Sequence, residues 1–143
     1  MRCVLDTNIV LSGLLWNGAP RQFLKAAQQD SFELFTSALL IDELADVLSR
    51  RKCAKRLREM GLTAEQILMM YSRAASLVNP VPVPRLAPDP DDDAVIGTAI
   101  AAKAVLIVTG DKPLLSVGVY EGGRIVTVTE ALALAEAASQ EGP

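Results

Sequence analysis

Acidic residues at four places along the chain have the type and the spacing for metal-ion chemistry. Two of them follow apolar segments that predict buried strands: Asp6 comes directly after Val4-Leu5, and Asp111 comes shortly after residues 105–108. Because the carboxyl ends of parallel strands meet at one edge of a sheet, both carboxylates are predicted to face the same crevice. Each aspartate taken alone is more typical of a residue that caps the following turn.

Glu43 is a third candidate because of its position on a helix predicted over residues 38–50. It lies three residues after Leu40 and four before Val47, on the apolar stripe of that helix. A carboxylate on an inward stripe is costly to bury unless it is paired or binds a metal ion. The alternative is a glutamate at the rim of the core that pairs with an arginine. Two other acids of this helix are predicted to be exposed: Asp42 and Asp46.

The run Asp91-Asp92-Asp93 precedes or opens another predicted helix, over residues 92–103. Capping and the helix dipole favour acids in a first helical turn, so one or two of them need no function. Three consecutive acids repel each other, which favours a cation nearby. Asp92 and Asp93 lie four and three residues before Ile96, on the apolar face, whereas Asp91 is predicted to face solvent.

The composition limits the chemistry that these acids could perform. The chain has no histidine, and Cys3 and Cys53 are too far apart in sequence to form a Cys-x-x-Cys pair. Histidine-dependent nucleophiles, histidine ligands and a zinc knuckle are therefore excluded. Ligation by oxygen alone selects Mg²⁺ or Mn²⁺. Metal ions held by carboxylates are the usual machinery of phosphodiester hydrolysis, in which one ion activates water and another stabilises the leaving oxygen.

The elements that must position these acids alternate between strands and helices. Strands are predicted at Val4-Leu5 and over residues 32–35, 78–83, 105–108 and 125–128. Helices are predicted over residues 9–15, 38–50, 54–60, 64–77 and 92–103, with one more starting near Pro20 and a last one capped by Thr129; residues 112–116 are predicted as a turn. Continuously apolar strands in this order predict an α/β fold whose mainly parallel sheet is covered on both faces.

The length, apolar stretches and charge of the chain indicate its domain organisation, its location and the kind of surface it has. Its 143 residues have the length of one domain, so residues 1–143 are predicted to form a single domain. Asp6 interrupts any cleavable signal, and no apolar stretch is long enough to span a bilayer, which predicts a cytoplasmic protein. A net charge of −3 and an aromatic content of 4% argue against a generally basic nucleic-acid surface and against a base-stacking platform.

These motifs resemble the PIN-domain family of metal-dependent ribonucleases, and most of all its VapC-like branch of toxin components from toxin–antitoxin operons. The resemblance covers about residues 2–128. Each motif is weak alone, but their order and spacing together are fairly specific. The matching segments are Val4-Leu5-Asp6-Thr7-Asn8, Ile41-Asp42-Glu43-Leu44, Asp92-Asp93-Ala94-Val95-Ile96 and Ile107-Val108-Thr109-Gly110-Asp111.

The resemblance implies a three-layer α/β/α fold with a four- or five-stranded sheet, and an endoribonuclease that depends on Mg²⁺ or Mn²⁺. It also implies a homodimer and a cognate antitoxin. Carried over by position, the metal-binding and catalytic acids are Asp6, Glu43, Asp93 and Asp111, with Asn8 and Thr109 as polar residues that support them. Asp92 is a further catalytic candidate, since it is the matching acid in the branch with the pattern Asp89-Pro90-Asp91-Asp92.

A basic run over residues 50–58 holds six of the fourteen lysines and arginines. Because it follows the Glu43 helix, Arg51, Lys55 and Arg58 are predicted to bind RNA phosphates beside the site. A solvated helix end, where cations suit the C-terminal dipole, is the alternative.

Two other classes of protein fit part of the pattern. A haloacid-dehalogenase-like phosphatase also begins with an aspartate after its first strand, but it needs a second one two residues later, where this chain has Asn8. A catalytically silent module could instead use its acids to bind a basic partner segment. Metal-dependent cleavage of RNA would distinguish the enzyme from that module.

Overall fold

A six-stranded sheet forms the centre of the protein. The computed structural model describes residues 1–83 and 90–140, without the side chains of residues 30, 31, 90, 91 and 138–140. The strands are β1 (Arg2–Leu5), β2 (Glu33–Thr36), β3 (Ala75–Leu77), β4 (Leu106–Val108), β5 (Val119–Tyr120) and β6 (Gly123–Val126). Their order across the sheet is β3-β2-β1-β4-β6-β5, and every neighbouring pair is parallel except β5 with β6.

Helices connect these strands and cover both faces of the sheet. They are α1 (Thr7–Leu15), α2 (Ala19–Ala26), α3 (Ala38–Leu48), α4 (Arg51–Met60), α5 (Ala64–Ala74), α6 (Pro90–Ala102), α7 (Lys112–Val117) and α8 (Val128–Gln140), with a π-helical turn at Ala27–Ser31. The longest of them, α6 and α8, have 13 residues. Within the described chain, no helix has the length and apolar character that are needed to cross a membrane.

Two apolar cores lie on opposite faces of the sheet because side chains alternate along each strand. Cys3 and Leu5 of β1 face a larger core that is built with α1, α2, α3, α4, α5 and α8. Val4, between them, faces a smaller core that includes Ile96 of α6 and Leu114 of α7. The three-layer α/β/α architecture follows from this division.

The strand order reverses between β1 and β4. From β1 the chain adds β2 and then β3 on one side of the sheet, whereas β4 lies on the other side of β1. The register pairs Leu5 with Val108, so the two strands end side by side. A reversal of this kind leaves a crevice beyond the carboxyl ends of the two central strands, which is where open α/β sheets place their sites.

The third strand lies earlier in the chain than predicted. Residues 78–83 form no strand; β3 is Ala75–Leu77, and the helix predicted over residues 64–77 ends at Ala74. Val78 still donates a 2.9 Å hydrogen bond to the carbonyl oxygen of Thr36. The prolines at 80 and 82 have no N–H group to continue such a ladder. Residues 84–89 lie outside the described residues, and so does the side chain of Asp91.

The C-terminal third also differs from the prediction of a four- or five-stranded sheet. The sixth strand comes from a short hairpin, in which β5 pairs with β6 around Gly122, whose φ of 91° suits glycine. Residues 112–116 belong to helix α7 rather than to a turn, and the last predicted strand is shifted to Gly123–Val126. Thr127, not Thr129, caps α8, because its Oγ1 accepts the Glu130 N–H while the Glu130 carboxylate accepts the Thr127 N–H.

Candidate active site

Asp6, Thr109 and Asp111 lie together beyond the ends of β1 and β4. The Thr109 hydroxyl donates a 2.7 Å hydrogen bond to Asp6 Oδ2, and the same oxygen of Thr109 accepts the Asp111 N–H at 3.0 Å. Asp6 is 6% exposed and Thr109 is fully buried, whereas Asp111 is half-buried. The structure therefore brings the two predicted strand-end acids to one place and links them through Thr109.

The backbone holds both acids in position because each of them begins a helix. Asp6 caps α1 by accepting the Thr7 N–H at 2.8 Å, and its own N–H donates to the Val108 carbonyl oxygen at 2.9 Å. Asp111 caps α7 by accepting the Leu114 N–H at 3.0 Å. The capping role that each aspartate alone suggested is thus present, and it serves to orient the pair.

The carboxylates of Asp6 and Asp111 place two negative charges near each other. Burial raises the pKa of the Asp6 carboxyl above its ordinary value, and the negative charge of Asp111 raises it further. Hydrogen bonds from Thr109 and from the Thr7 backbone act in the opposite direction. As far as the described residues go, neither aspartate forms a salt bridge.

Thr7 is a polar residue of this region that sequence reasoning did not single out. It is buried next to Asp6 at the start of α1, and among the described residues its hydroxyl oxygen has no hydrogen-bond partner. A buried hydroxyl without a partner is costly, which makes it a candidate oxygen donor. A threonine directly after the strand-end aspartate was the available signal.

The Glu43 helix has the orientation that its pattern predicts. Glu43 is half-buried, whereas Asp42 and Asp46 are exposed. Asp46 forms an exposed ion pair with Arg50 at 3.6 Å, one turn further along the chain. Helix α3, which carries this half-buried acid, contacts both α1, the helix that Asp6 caps, and α6.

Asp92 and Asp93 lie in the first turns of α6 and are both half-buried. Asp93 lines a shallow groove of about 270 Å³ together with Leu39 and the segment over residues 80–83. Leu39 is one helical turn before Glu43, so this aspartate lies on the α3 side of α6. A hydrogen bond of 3.0 Å from the Thr98 hydroxyl to Ser37 Oγ joins the two helices at their buried contact.

The five predicted acids do not form a ready-made cage. Within residues 1–83 and 90–140, no group of three or more acidic or cysteine side chains is close enough together to hold one metal ion. The structure shows Asp6 and Asp111 brought together, whereas Glu43, Asp92 and Asp93 stand on neighbouring helices.

Asn8 opens a second, larger groove that leads away from the acid pair. It is exposed two residues after Asp6, and it lines a groove of about 600 Å³ that runs along α1 to Trp16. Arg50 and Lys52 line the same groove. The predicted RNA-binding residues are all exposed on α4 but, among the described residues, are not part of this lining: Arg51, Lys55 and Arg58.

The fold and this crevice define an α/β domain with an acidic site at the reversal of its strand order. The family model of the PIN domain matches residues 2–113, and the chain belongs to that family. PIN domains are generally nucleases that use divalent metal ions, so the chain has a nuclease-type fold. The chain is also 30% identical over 117 residues to the uncharacterized protein MJ1680 of Methanocaldococcus jannaschii, a match that covers 81% of this chain and 74% of that protein.

Proposed function

We propose that this protein is a metal-dependent endoribonuclease and the toxin of a toxin–antitoxin pair. The observation that carries the nuclease proposal is the hydrogen-bonded Asp6–Thr109–Asp111 arrangement at the reversal of the strand order. Family membership makes a nucleic acid the expected substrate class. RNA as the particular substrate, the antitoxin and a homodimer rest on the resemblance to VapC-like proteins.

The residues at the crevice fit a hard divalent cation. Their donors are oxygen atoms, which suit Mg²⁺ or Mn²⁺. Two carboxylates that have no salt-bridge partner among the described residues would gain from a bound ion. Asp6 and Asp111 would hold the metal from the strand ends, and Glu43 and Asp93 would complete the site from the helices, with Asp92 as the alternative to Asp93.

The chain's own residues orient the reaction. A bound Mg²⁺ or Mn²⁺ supplies Lewis-acid chemistry that activates water and stabilises the leaving oxygen. Asp6 keeps one fixed orientation because the Thr7 N–H and the Thr109 hydroxyl bind its two oxygens separately. Buried Thr109 holds Asp6 and the Asp111 backbone together, and exposed Asn8 is proposed to contact the substrate strand.

The test is cleavage of RNA by the purified full-length protein. Labelled single-stranded and structured RNAs should be cut with Mg²⁺ or Mn²⁺ and left intact with EDTA, and the products should carry 5′-phosphate and 3′-hydroxyl ends. The Asp111→Asn variant should lose this activity while it remains folded.

Cleavage that persists in EDTA, or products with 2′,3′-cyclic phosphate ends, would overturn the metal mechanism. RNA that stays intact with either ion would favour the silent acidic module instead. The toxin proposal is tested separately by the neighbouring reading frame, where a short upstream gene for a DNA-binding protein is expected.

A further inference from the structure

The groove that starts at Asn8 follows one face of α1. Asn8 and Ser12 lie one turn apart on α1, and Trp16 is the residue that ends this helix; all three line the groove. Eight residues of α-helix span about 12 Å. The groove therefore runs from Asn8, two residues after Asp6, to a distal end at Trp16.

The distal end combines an aromatic ring with cations. The Lys52 ammonium lies 5.2 Å from the centroid of the Trp16 ring, which is a cation–π contact. Trp16 is half-buried and packs against the larger core, so its position is fixed while part of the ring stays accessible. Arg50 lines the same wall, and its ion pair with Asp46 is exposed.

This chemistry matches a nucleotide better than it matches an acidic peptide. A nucleotide offers a flat base for the indole and a phosphate for the ammonium group, whereas a peptide carboxylate would use only the cation. An aromatic content of 4% is too low for a platform of several rings, but one ring is sufficient for one base. The overall charge of −3 restricts attraction of a polyanion to local positive sites such as this one.

We propose that Trp16 and Lys52 form a nucleotide subsite for the substrate strand. One base stacks on the Trp16 ring, and the Lys52 ammonium moves from the ring to an adjacent phosphate, with Arg50 beside it. The subsite lies a few nucleotides away from the scissile bond. This proposal rests on the proposed function, because the strand that enters the groove is the RNA that the acids would cut.

Trp16 is the only tryptophan of the chain, so fluorescence excited selectively from tryptophan, and not from the two tyrosines, reports on the subsite. The full-length protein is titrated in EDTA with a single-stranded RNA oligonucleotide, under conditions that prevent metal-dependent cleavage. Quenching of the fluorescence that saturates with RNA is expected. A polyglutamate peptide of the same charge should not reproduce it, because it has no base to stack.

Variants separate the two parts of the subsite. Lys52→Gln should lower the slope of log affinity against log salt by about 0.7, the value for one phosphate contact on a single strand, and should keep the quenching. Lys25→Gln is the matched control, since Lys25 is an exposed lysine on α2 outside the groove. Trp16→Leu should weaken RNA binding about tenfold without changing that slope, and Trp16→Phe should restore most of the affinity. RNA binding to Trp16→Leu and Trp16→Phe is followed by the anisotropy of labelled RNA.

The outcomes distinguish this proposal from the proposed function. Metal-dependent cleavage without quenching of Trp16 would overturn the subsite and leave the ribonuclease intact. Saturable quenching together with a salt slope that falls in Lys52→Gln would support the subsite even if the metal mechanism were wrong. Equal quenching by polyglutamate would overturn base stacking, and a fluorescence change that depends on protein concentration without RNA would assign the groove to a second copy of the chain.

Discussion

The acids at the strand ends and the acids on the helices are positioned in different ways. Asp6 and Asp111 follow two paired strands and cap the helices that come next, so strand register and backbone hydrogen bonds determine their places. Glu43 and Asp93 depend on how α3 and α6 pack against each other and against the sheet. The first pair is thus part of the folding framework, whereas the places of the second pair follow from the packing of the helices that carry them.

The largest effect is expected at Glu43, one of the two acids that are positioned by helix packing. Glu43→Gln should lower the rate of RNA cleavage by about a hundredfold or more, because it removes one charged ligand of the proposed metal site. Asp42→Asn and Asp46→Asn are matched controls on the same helix, and both are exposed. Their rates should stay within about twofold of wild type, since exposed surface changes have small effects. Equal losses in all three variants would show that the inward face of α3 does not serve the site.

The next effect decides between the two neighbouring acids of α6. Asp93→Asn should reduce cleavage and the metal-induced rise in melting temperature more than Asp92→Asn does, because Asp93 lies on the side that faces Leu39 and hence α3. Cleavage assays and thermal unfolding with and without Mn²⁺ measure both quantities. A larger effect of Asp92→Asn than of Asp93→Asn would keep the proposed site and make Asp92 its fourth ligand.

A smaller effect is expected in RNA binding. The cations on and beside α4 form two rows: an inner row that lines the groove, Arg50 and Lys52, and an exposed outer row, Arg51, Lys55 and Arg58. The double variant Arg50→Gln, Lys52→Gln should lower the salt slope of RNA binding by about 1.4, from two phosphate contacts on a single strand. The variant in which all three residues of the outer row become glutamine should lower the salt slope less, because that row does not line the groove. RNA affinities measured at salt concentrations from about 50 to about 200 mM test this order. A larger change for the outer row would move the RNA path to the exposed face of α4.

The smallest effect concerns stability without metal, and it should appear only at a strand-end acid. Because the folded pKa of Asp6 is raised, its protonated form favours the folded state, and this advantage is lost as pH rises through the folded pKa. Metal-free protein should therefore melt at a lower temperature at pH 7 than at mildly acidic pH. Asp6→Asn should raise the metal-free melting temperature at pH 7 by a few degrees, because asparagine keeps the cap without the charge.

The control for this measurement is Asp42→Asn, which should change neither the melting temperature nor its pH dependence. Mg²⁺ at a hundred times its dissociation constant should stabilise wild type by about 2.7 kcal/mol, and Asp6→Asn should lose most of that gain. A melting temperature that falls in Asp6→Asn would mean that the hydrogen bonds of this carboxylate outweigh its buried charge, and the pair would then be structural.

Much of the framework could be predicted because it depends on local patterns. The apolar runs before Asp6 and Asp111 identified β1 and β4, and the apolar stripe around Glu43 predicted that this acid turns inward while its neighbours are exposed. Capping residues are equally local, as Ser37 at the start of α3 shows. The third and fifth strands were missed or misplaced, because both are short and depend on a partner strand rather than on their own apolar pattern.

The sequence by itself determined the alternation of strands and helices, the oxygen-only chemistry and the identity of the candidate acids, since all of these follow from residue type and short-range spacing. The long-range fold was needed to show that Thr109 joins Asp6 to Asp111, that the buried Thr7 hydroxyl has no partner among the described residues, and that Lys52 lies over Trp16. Thr109 is 103 positions from Asp6 in sequence. Contacts over such distances depend on strand order and helix packing, which short-range patterns do not encode.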